Sequence, residues 1–169
     1  VTGTKLLVRR GSQIRSLRDL RGRTVVLSEG TVHAKLLPQL AARQKLDIDF
    51  VFARDHDASF QWLAEGKAEA FANDDIQLYG MLATRKAAPD YRVVGDFLTY
   101  ADYALTLRRD DPAFAEVVDQ AFERLSGSGE IRAIYRRWFQ RPLPSGETLN
   151  LRMSPHLEHV FKLDDQNSD

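Results

Sequence analysis

Three short polar clusters hold the side chains that could do chemistry: Ser28-Glu29-Gly30-Thr31-Val32-His33, Asp55-His56-Asp57 and Asn73-Asp74-Asp75. The first sets a glycine before a threonine suited to cap a helix, which leaves main-chain N–H groups open to a carboxylate or phosphate. A plain N-cap turn uses the same residues, and the GxxxxGK[ST] spacing of a phosphate loop is missing. His33 either touches such a ligand or sits on a helix surface. His56, between two aspartates, suits a donor to a ligand or an ordinary loop histidine. Histidine and aspartate are fitting metal ligands, but no H-x-x-x-H or related spacing supports them, so no metal is expected. Asp74 and Asp75 suit helix capping; alternatively one carboxylate faces a cleft and receives an ammonium. Sequence neighbours rarely face each other across a substrate, and no activated nucleophile with its base and orienter is evident. Neither catalysis nor a cofactor is therefore expected.

The elements that must position these clusters alternate in type. Strands are expected over Thr4–Arg9, Thr24–Ser28, Ile48–Ala53, Ala68–Ala72, Tyr91–Gly95 and Tyr103–Leu107. Ser16 and Asp19 suit a helical turn between the first two. A helix capped by Thr31 carries Leu36, Leu37, Leu40 and Ala41, with Pro38 inside it as a break or kink. Asp57 suits the cap of a helix carrying Phe60 and Leu63 and ending at Gly66. The Asn73–Asp75 cluster caps another with Leu78, Met81 and Leu82. Such alternation implies an α/β fold with a mostly parallel sheet and flanking helices. Ligands of open parallel sheets bind beyond the carboxyl ends of strands, where all three clusters lie.

Beyond Asp111-Pro112 the character changes. Phe114, Val117, Val118, Ala121, Phe122 and Leu125 form an amphipathic stripe. A second helix carries Ile131, Ile134, Tyr135, Trp138 and Phe139 after the Ser126–Gly129 break. A weak strand near Leu149–Leu151, one turn near Leu157–Phe161 and a disordered end are expected after that. His156 and His159 in this tail carry no signal.

Composition bounds the function classes. The 169 residues hold 24 Lys+Arg, 24 Asp+Glu and no cysteine. Zero net charge gives no global pull toward nucleic acid. Absent cysteine excludes disulfides, thiolate zinc sites and a cysteine nucleophile, but does not fix the compartment. No apolar run reaches the roughly 20 residues that span a bilayer.

The stretches TKLLVRRG, SLRDLRGRTVVLSEGT, ARDHDASFQWLAEGKAEAFANDD, DYALTLRRDDPAF, SGSGEIRAIYRRWFQRPLP and the tail LNLRM…LEHVFK together resemble the glutamate/aspartate-binding group of the type II (family 3) solute-binding proteins of ABC transporters. The resemblance covers nearly the whole chain. It implies a periplasmic protein of two α/β lobes that holds an amino acid between them and delivers it to a membrane permease. Residues 1–105 would be the second lobe with its crossing strands. Residues 106–169 would be the returning C-terminal segment of the first lobe, whose sheet is not in this chain. The start at Val1 would then lie near the first crossing, with roughly a hundred residues of lobe before it. The apolar faces of helices 112–139 would need cover, by folding back or by self-association. By the same resemblance the Gly30-Thr31 turn donates to a ligand carboxylate, Asp74 receives the α-ammonium and His56 approaches the side-chain carboxylate. Val32 and His33 stand where the family usually has a second hydroxyl residue, and Ala104 replaces a common glycine after Tyr103. The arginine that clamps the α-carboxylate belongs to the other lobe.

Two further classes compete with a transporter component. One is the sensor lobe of a receptor of the same fold; the other is a doubly wound α/β enzyme using Asp74 and His56. Convergence of those two residues without a metal favours binding.

Overall fold

Leu6-Leu7-Val8, Val25-Val26-Leu27 and Ala70-Phe71-Ala72 are unbroken apolar runs, and in the structure each forms a strand buried on both faces. The computed structural model describes residues 2–101, 103–144, 146–155 and 157–159. They fall into two compact units, Thr2–Ala101 and the described residues beyond it.

The first unit contains strands β1 (Thr2–Arg9), β2 (Thr24–Ser28), β3 (Asp49–Ala53), β4 (Ala70–Asp74), β5 (Tyr91–Val94) and β6 (Tyr100–Ala101). Its helices are α1 (Val32–Arg43), α2 (His56–Ala64) and α3 (Asp75–Thr84). The sheet order is β3-β2-β4-β1-β5, with β6 paired to β1. β2 is parallel to β3 and β4, while β1 is antiparallel to β4, β5 and β6. Five strands thus share one direction, as alternation with helices requires, and β1 runs against them. The sheet is therefore mixed rather than uniformly parallel. Only a 3-10 turn, Leu17–Leu20, links β1 to β2, so no crossover helix obliges the two to run alike.

Strand parity divides the core between the two faces. Leu7, Val26 and Phe71 pack with Phe60 and Leu63 of α2 and Leu78 and Leu82 of α3. Leu6, Val8, Val25, Leu27, Ala70 and Ala72 pack on the other face with Leu37 of α1 and with Leu17 and Leu20. Full burial of each large side chain contributes about 1.5–3 kcal/mol relative to exposure. Pro38 lies inside α1 without ending it; it removes the N–H that would bond one turn back.

Two expected caps differ. Asp55, not Asp57, caps α2, its carboxylate accepting from the Ala58 N–H at 2.7 Å. Asp57 enters the first turn and pairs with Arg85 at 2.5 Å. Asp74 precedes α3 without a side-chain capping bond, because its side chain is directed elsewhere, as shown below.

The second unit contains α4 (Pro112–Gly127) and α5 (Glu130–Phe139). Asp111 caps α4 through the Phe114 N–H, and Pro112 fills its first turn. Neither helix contains a buried residue. Phe114, Val117, Phe122, Ile134 and Trp138 are exposed, so the amphipathic stripe is present and uncovered. The expected strands at Tyr103–Leu107 and Leu149–Leu151 do not form. Tyr103 and Leu105 are exposed, so this run lacks the half-buried face on which a strand is stabilised. The turn expected near Leu157 is helical through His159. His156 and the end from residue 160 lie outside the described residues.

Candidate functional site

The parity that sorts the core also sorts the polar residues at the carboxyl ends of β2 and β4. Thr4 and Asp74 share the parity of Leu6 and Ala72, so they face α1. Ser28 and Asn73 share the parity of Val26 and Phe71, so they face α2. Two networks result, one on each side of the sheet end.

On the α1 side His33 is 5% exposed. It lies on the inward stripe of its helix with Leu37 and Ala41, a spacing of i, i+4 and i+8. Its Nδ1 is 2.9 Å from the Thr4 hydroxyl, and its Nε2 is 3.6 Å from an Asp74 carboxylate oxygen. Thr4 Oγ1 is in turn 2.5 Å from Thr99 Oγ1. Burial holds the His33 ring below its ordinary pKa; Asp74 opposes that shift and His56 reinforces it. The neutral ring must carry its proton on Nε2, since a bare nitrogen lone pair would repel the facing carboxylate. The expected alternatives for His33 were a ligand contact or a surface position; the side chain is buried rather than on the helix surface, and it faces Asp74.

On the α2 side His56 Nδ1 is 2.7 Å from Ser28 Oγ, which is 2.8 Å from Ser59 Oγ. Ser59 Oγ donates to the Asp55 carbonyl at 2.9 Å. Asn73 Nδ2 lies 3.4 Å from His56 Nδ1, and Asn73 Oδ1 accepts from the Asp74 N–H at 2.9 Å. Adjacent residues Asn73 and Asp74 thus join the two networks. Asp75 turns away, accepting from the Thr2 hydroxyl at 2.6 Å.

Between them stands the N-terminus of α1. Gly30 is exposed at φ +71°, a left-handed turn that favours glycine. The Thr31 hydroxyl donates to the Ser28 carbonyl at 2.7 Å and accepts from the Ala34 N–H at 3.3 Å. Its capping duty leaves the first-turn N–H groups of Val32 and His33 without intrahelical acceptors. The Val32 side chain is exposed.

Ser28 and Asn73 belong to the polar clusters seen in the sequence, though their contacts with His56 were not foreseen; Ser59, two residues beyond the second cluster, joins them through Ser28. Thr4 and Thr99 carried no sequence signal beyond strand propensity; the β1–β4 register, which pairs Thr4 with Asp74, is what brings them in. No group of three or more His, Asp or Glu suited to a metal occurs among the described residues. No helix among them is long and apolar enough to cross a membrane. A separate cavity of about 760 Å3, lined by Arg9, Arg10, Arg23, Glu69 and Tyr91 among others, lies at the opposite end of the sheet, where β2, β4 and β5 begin.

Comparison with known proteins gives a consistent picture. Residues 3–142 match the family model described as "ABC transporter, phosphonate, periplasmic substrate-binding protein". An L-glutamate/L-aspartate-binding protein of Pseudomonas aeruginosa is 38% identical over 160 residues, which are 94% of this chain and 53% of that protein. A glutamate/aspartate import solute-binding protein of Escherichia coli is 33% identical over 163 residues, 96% of this chain and 54% of that protein. The chain therefore spans about half the length of the curated relatives it matches. Among solved structures, an ancestral arginine-binding protein bound to glutamine superposes with a TM-score of 0.67 at 22% identity, covering 83% of this chain and 60% of that one. The GluR0 ligand-binding core from Nostoc punctiforme, in complex with L-glutamate, gives 0.66 at 24% identity over 83% and 62%. These likenesses place the fold among type II periplasmic binding proteins.

Proposed function

The chain belongs to the ABC-transporter periplasmic substrate-binding protein family, and from that premise we propose that it supplies one wall of an amino-acid site, with glutamate or aspartate as ligand. Asp74 receives the α-ammonium. The Gly30-Thr31 turn, with the Val32 and His33 N–H groups, meets a carboxylate. His56 meets the side-chain carboxylate. Residues 106–169 belong to the other lobe, and the whole protein works in the periplasm, passing its ligand to a membrane permease by binding rather than catalysis.

The observation that carries this reading is the charge pattern at one sheet end. A carboxylate, an imidazole and open helix N–H groups together complement a molecule with one ammonium and two carboxylates. A simple phosphonate would find the N–H groups favourable but Asp74 repulsive, so the amino acid is the better fit.

Calorimetry of this chain with L-glutamate, L-aspartate and methylphosphonate tests it. Weak, saturable binding of the two amino acids is expected, abolished by Asp74→Asn. Preference for methylphosphonate would overturn the amino-acid reading, and submicromolar affinity would overturn the one-wall reading.

A further inference from the structure

Thr4 and Asp74 are directly opposed in the β1–β4 ladder. Side chains so placed stand on one face about 5 Å apart. His33 descends from α1 onto this pair and divides its two ring nitrogens between them, Nδ1 at 2.9 Å from Thr4 and Nε2 at 3.6 Å from Asp74. Thr4 is fully buried, and His33 nearly so. The Thr4 hydroxyl continues to Thr99, in the segment whose Leu98 N–H and Thr99 carbonyl clasp the Thr4 main chain.

We propose that His33 is a positioning residue for Asp74: it fixes the direction of the carboxylate that accepts the ligand ammonium, and it couples that carboxylate to β1 and Thr99. This rests on the reading of Asp74 as the ammonium acceptor. A neutral imidazole is well suited to the task. It donates one N–H toward the carboxylate without neutralising it, so the negative charge remains for the ligand. An arginine or lysine in its place would pair with Asp74 outright. Thr4 supports the arrangement as an outer ligand supports a metal-bound histidine, by occupying the other nitrogen and fixing the tautomer.

The arrangement also has a sensitivity built in. The titratable groups facing His33 are Asp74, from the β4–α3 junction, and His56, from α2. Protonation of Nδ1 reverses the Thr4 hydroxyl and creates an imidazolium beside Asp74. That cation competes with the ligand ammonium, so affinity falls as pH falls. Position 33 thereby sets both the aim of Asp74 and its availability.

Long-range proton–nitrogen spectra of the histidine rings in the labelled chain, followed against pH, test this without any ligand. The expected result is a neutral His33 with its proton on Nε2. Thr4→Val should redistribute the tautomers, and Asp74→Asn should lower the His33 titration midpoint. A proton on Nδ1, or a midpoint indifferent to Asp74→Asn, would overturn the proposal. Titration with L-glutamate then compares variants at position 33. His33→Gln, which still donates but cannot charge, should keep affinity within about twofold and lose its pH dependence. His33→Leu, which keeps the apolar packing, should weaken it about tenfold, because Asp74 loses the ring dipole that faces it at 3.6 Å. Equal affinities in the two variants would also overturn it. If neither glutamate nor aspartate perturbs the wild-type chain while the ring measurements hold, the amino-acid reading fails and the positioning of Asp74 stands.

Discussion

His56 is tied to the end of β2: its Nδ1 lies 2.7 Å from the Ser28 hydroxyl, which continues to Ser59 and the Asp55 carbonyl. The Asn73 side-chain amide, 3.4 Å from the same nitrogen, holds the ring from β4. The ring is thus oriented before any ligand arrives. Ser28→Ala, which removes the shortest of these contacts, should weaken binding of L-glutamate about fivefold, the scale of one net hydrogen bond. Calorimetry measures this directly; an unchanged affinity would contradict the assignment of His56 to the side-chain carboxylate.

Gly3 predicts a steric effect on the other network. A Cβ at this position would meet the Phe97 ring and lie 2.6 Å from the Thr99 carbonyl oxygen. Main-chain atoms cannot yield as a side-chain tip can. Gly3→Ala should cost about 1–3 kcal/mol, the usual range for forced overpacking, and displace Thr99 from Thr4. Chemical denaturation reads the first effect, and the His33 ring spectrum reads the second. A variant as stable as the parent would mean that this segment is looser than the contacts imply.

Much of this was legible in the residues. Val25-Val26-Leu27 announces a doubly buried strand, and Gly30-Thr31 announces the turn and cap that follow it. The polar clusters fall at strand ends because alternation fixes where strands end. What the local pattern lacks is pairing. Thr4 meets Asp74 through a ladder that joins residues seventy apart, and nothing near Thr4 in sequence signals it. His33 could have been placed inside by its spacing to Leu37 and Ala41, but the polarity of histidine argued for the surface. Asp55 and Asp57 are equivalent as caps in sequence; the 2.5 Å pairing of Asp57 with Arg85, a tertiary contact, separates them. Tyr103–Leu107 has strand propensity, yet Tyr103 and Leu105 stay exposed, and burial is decided by the fold rather than by the run itself.

Burial of His33 has a consequence for stability. Its pKa is depressed from 6.5 in the folded chain, so below about pH 6.5 the unfolded chain binds more protons than the folded one. Stability contributed by the neutral ring is therefore intact above that pH and is lost as pH falls through the window beneath it. Urea unfolding at pH 5 and pH 7.5 should show a smaller loss for His33→Gln than for the parent. Identical losses would mean that other groups dominate acid unfolding.

The uncovered stripes of α4 and α5 predict association. Phe114, Val117, Phe122, Ile134 and Trp138 are all more than a third exposed, and apolar surface gathered this way favours contact with a second copy. Sedimentation equilibrium over a wide dilution range should show reversible self-association. Replacing Phe114, Val117 and Trp138 together by serine should leave a monomer. A parent chain that stays monomeric at high concentration would count against it.

The central claim is that the end of β2 and β4 is the amino-acid-facing surface. Amide spectra of the labelled chain during titration with L-glutamate and L-aspartate test it most directly. The account predicts saturable, low-affinity shifts concentrated at Gly30, Thr31, Val32, His33, His56 and Asp74, and their loss in Asp74→Asn. Shifts absent from these residues, or gathered instead at Arg9, Arg10 and Arg23 on the opposite end of the sheet, would contradict it.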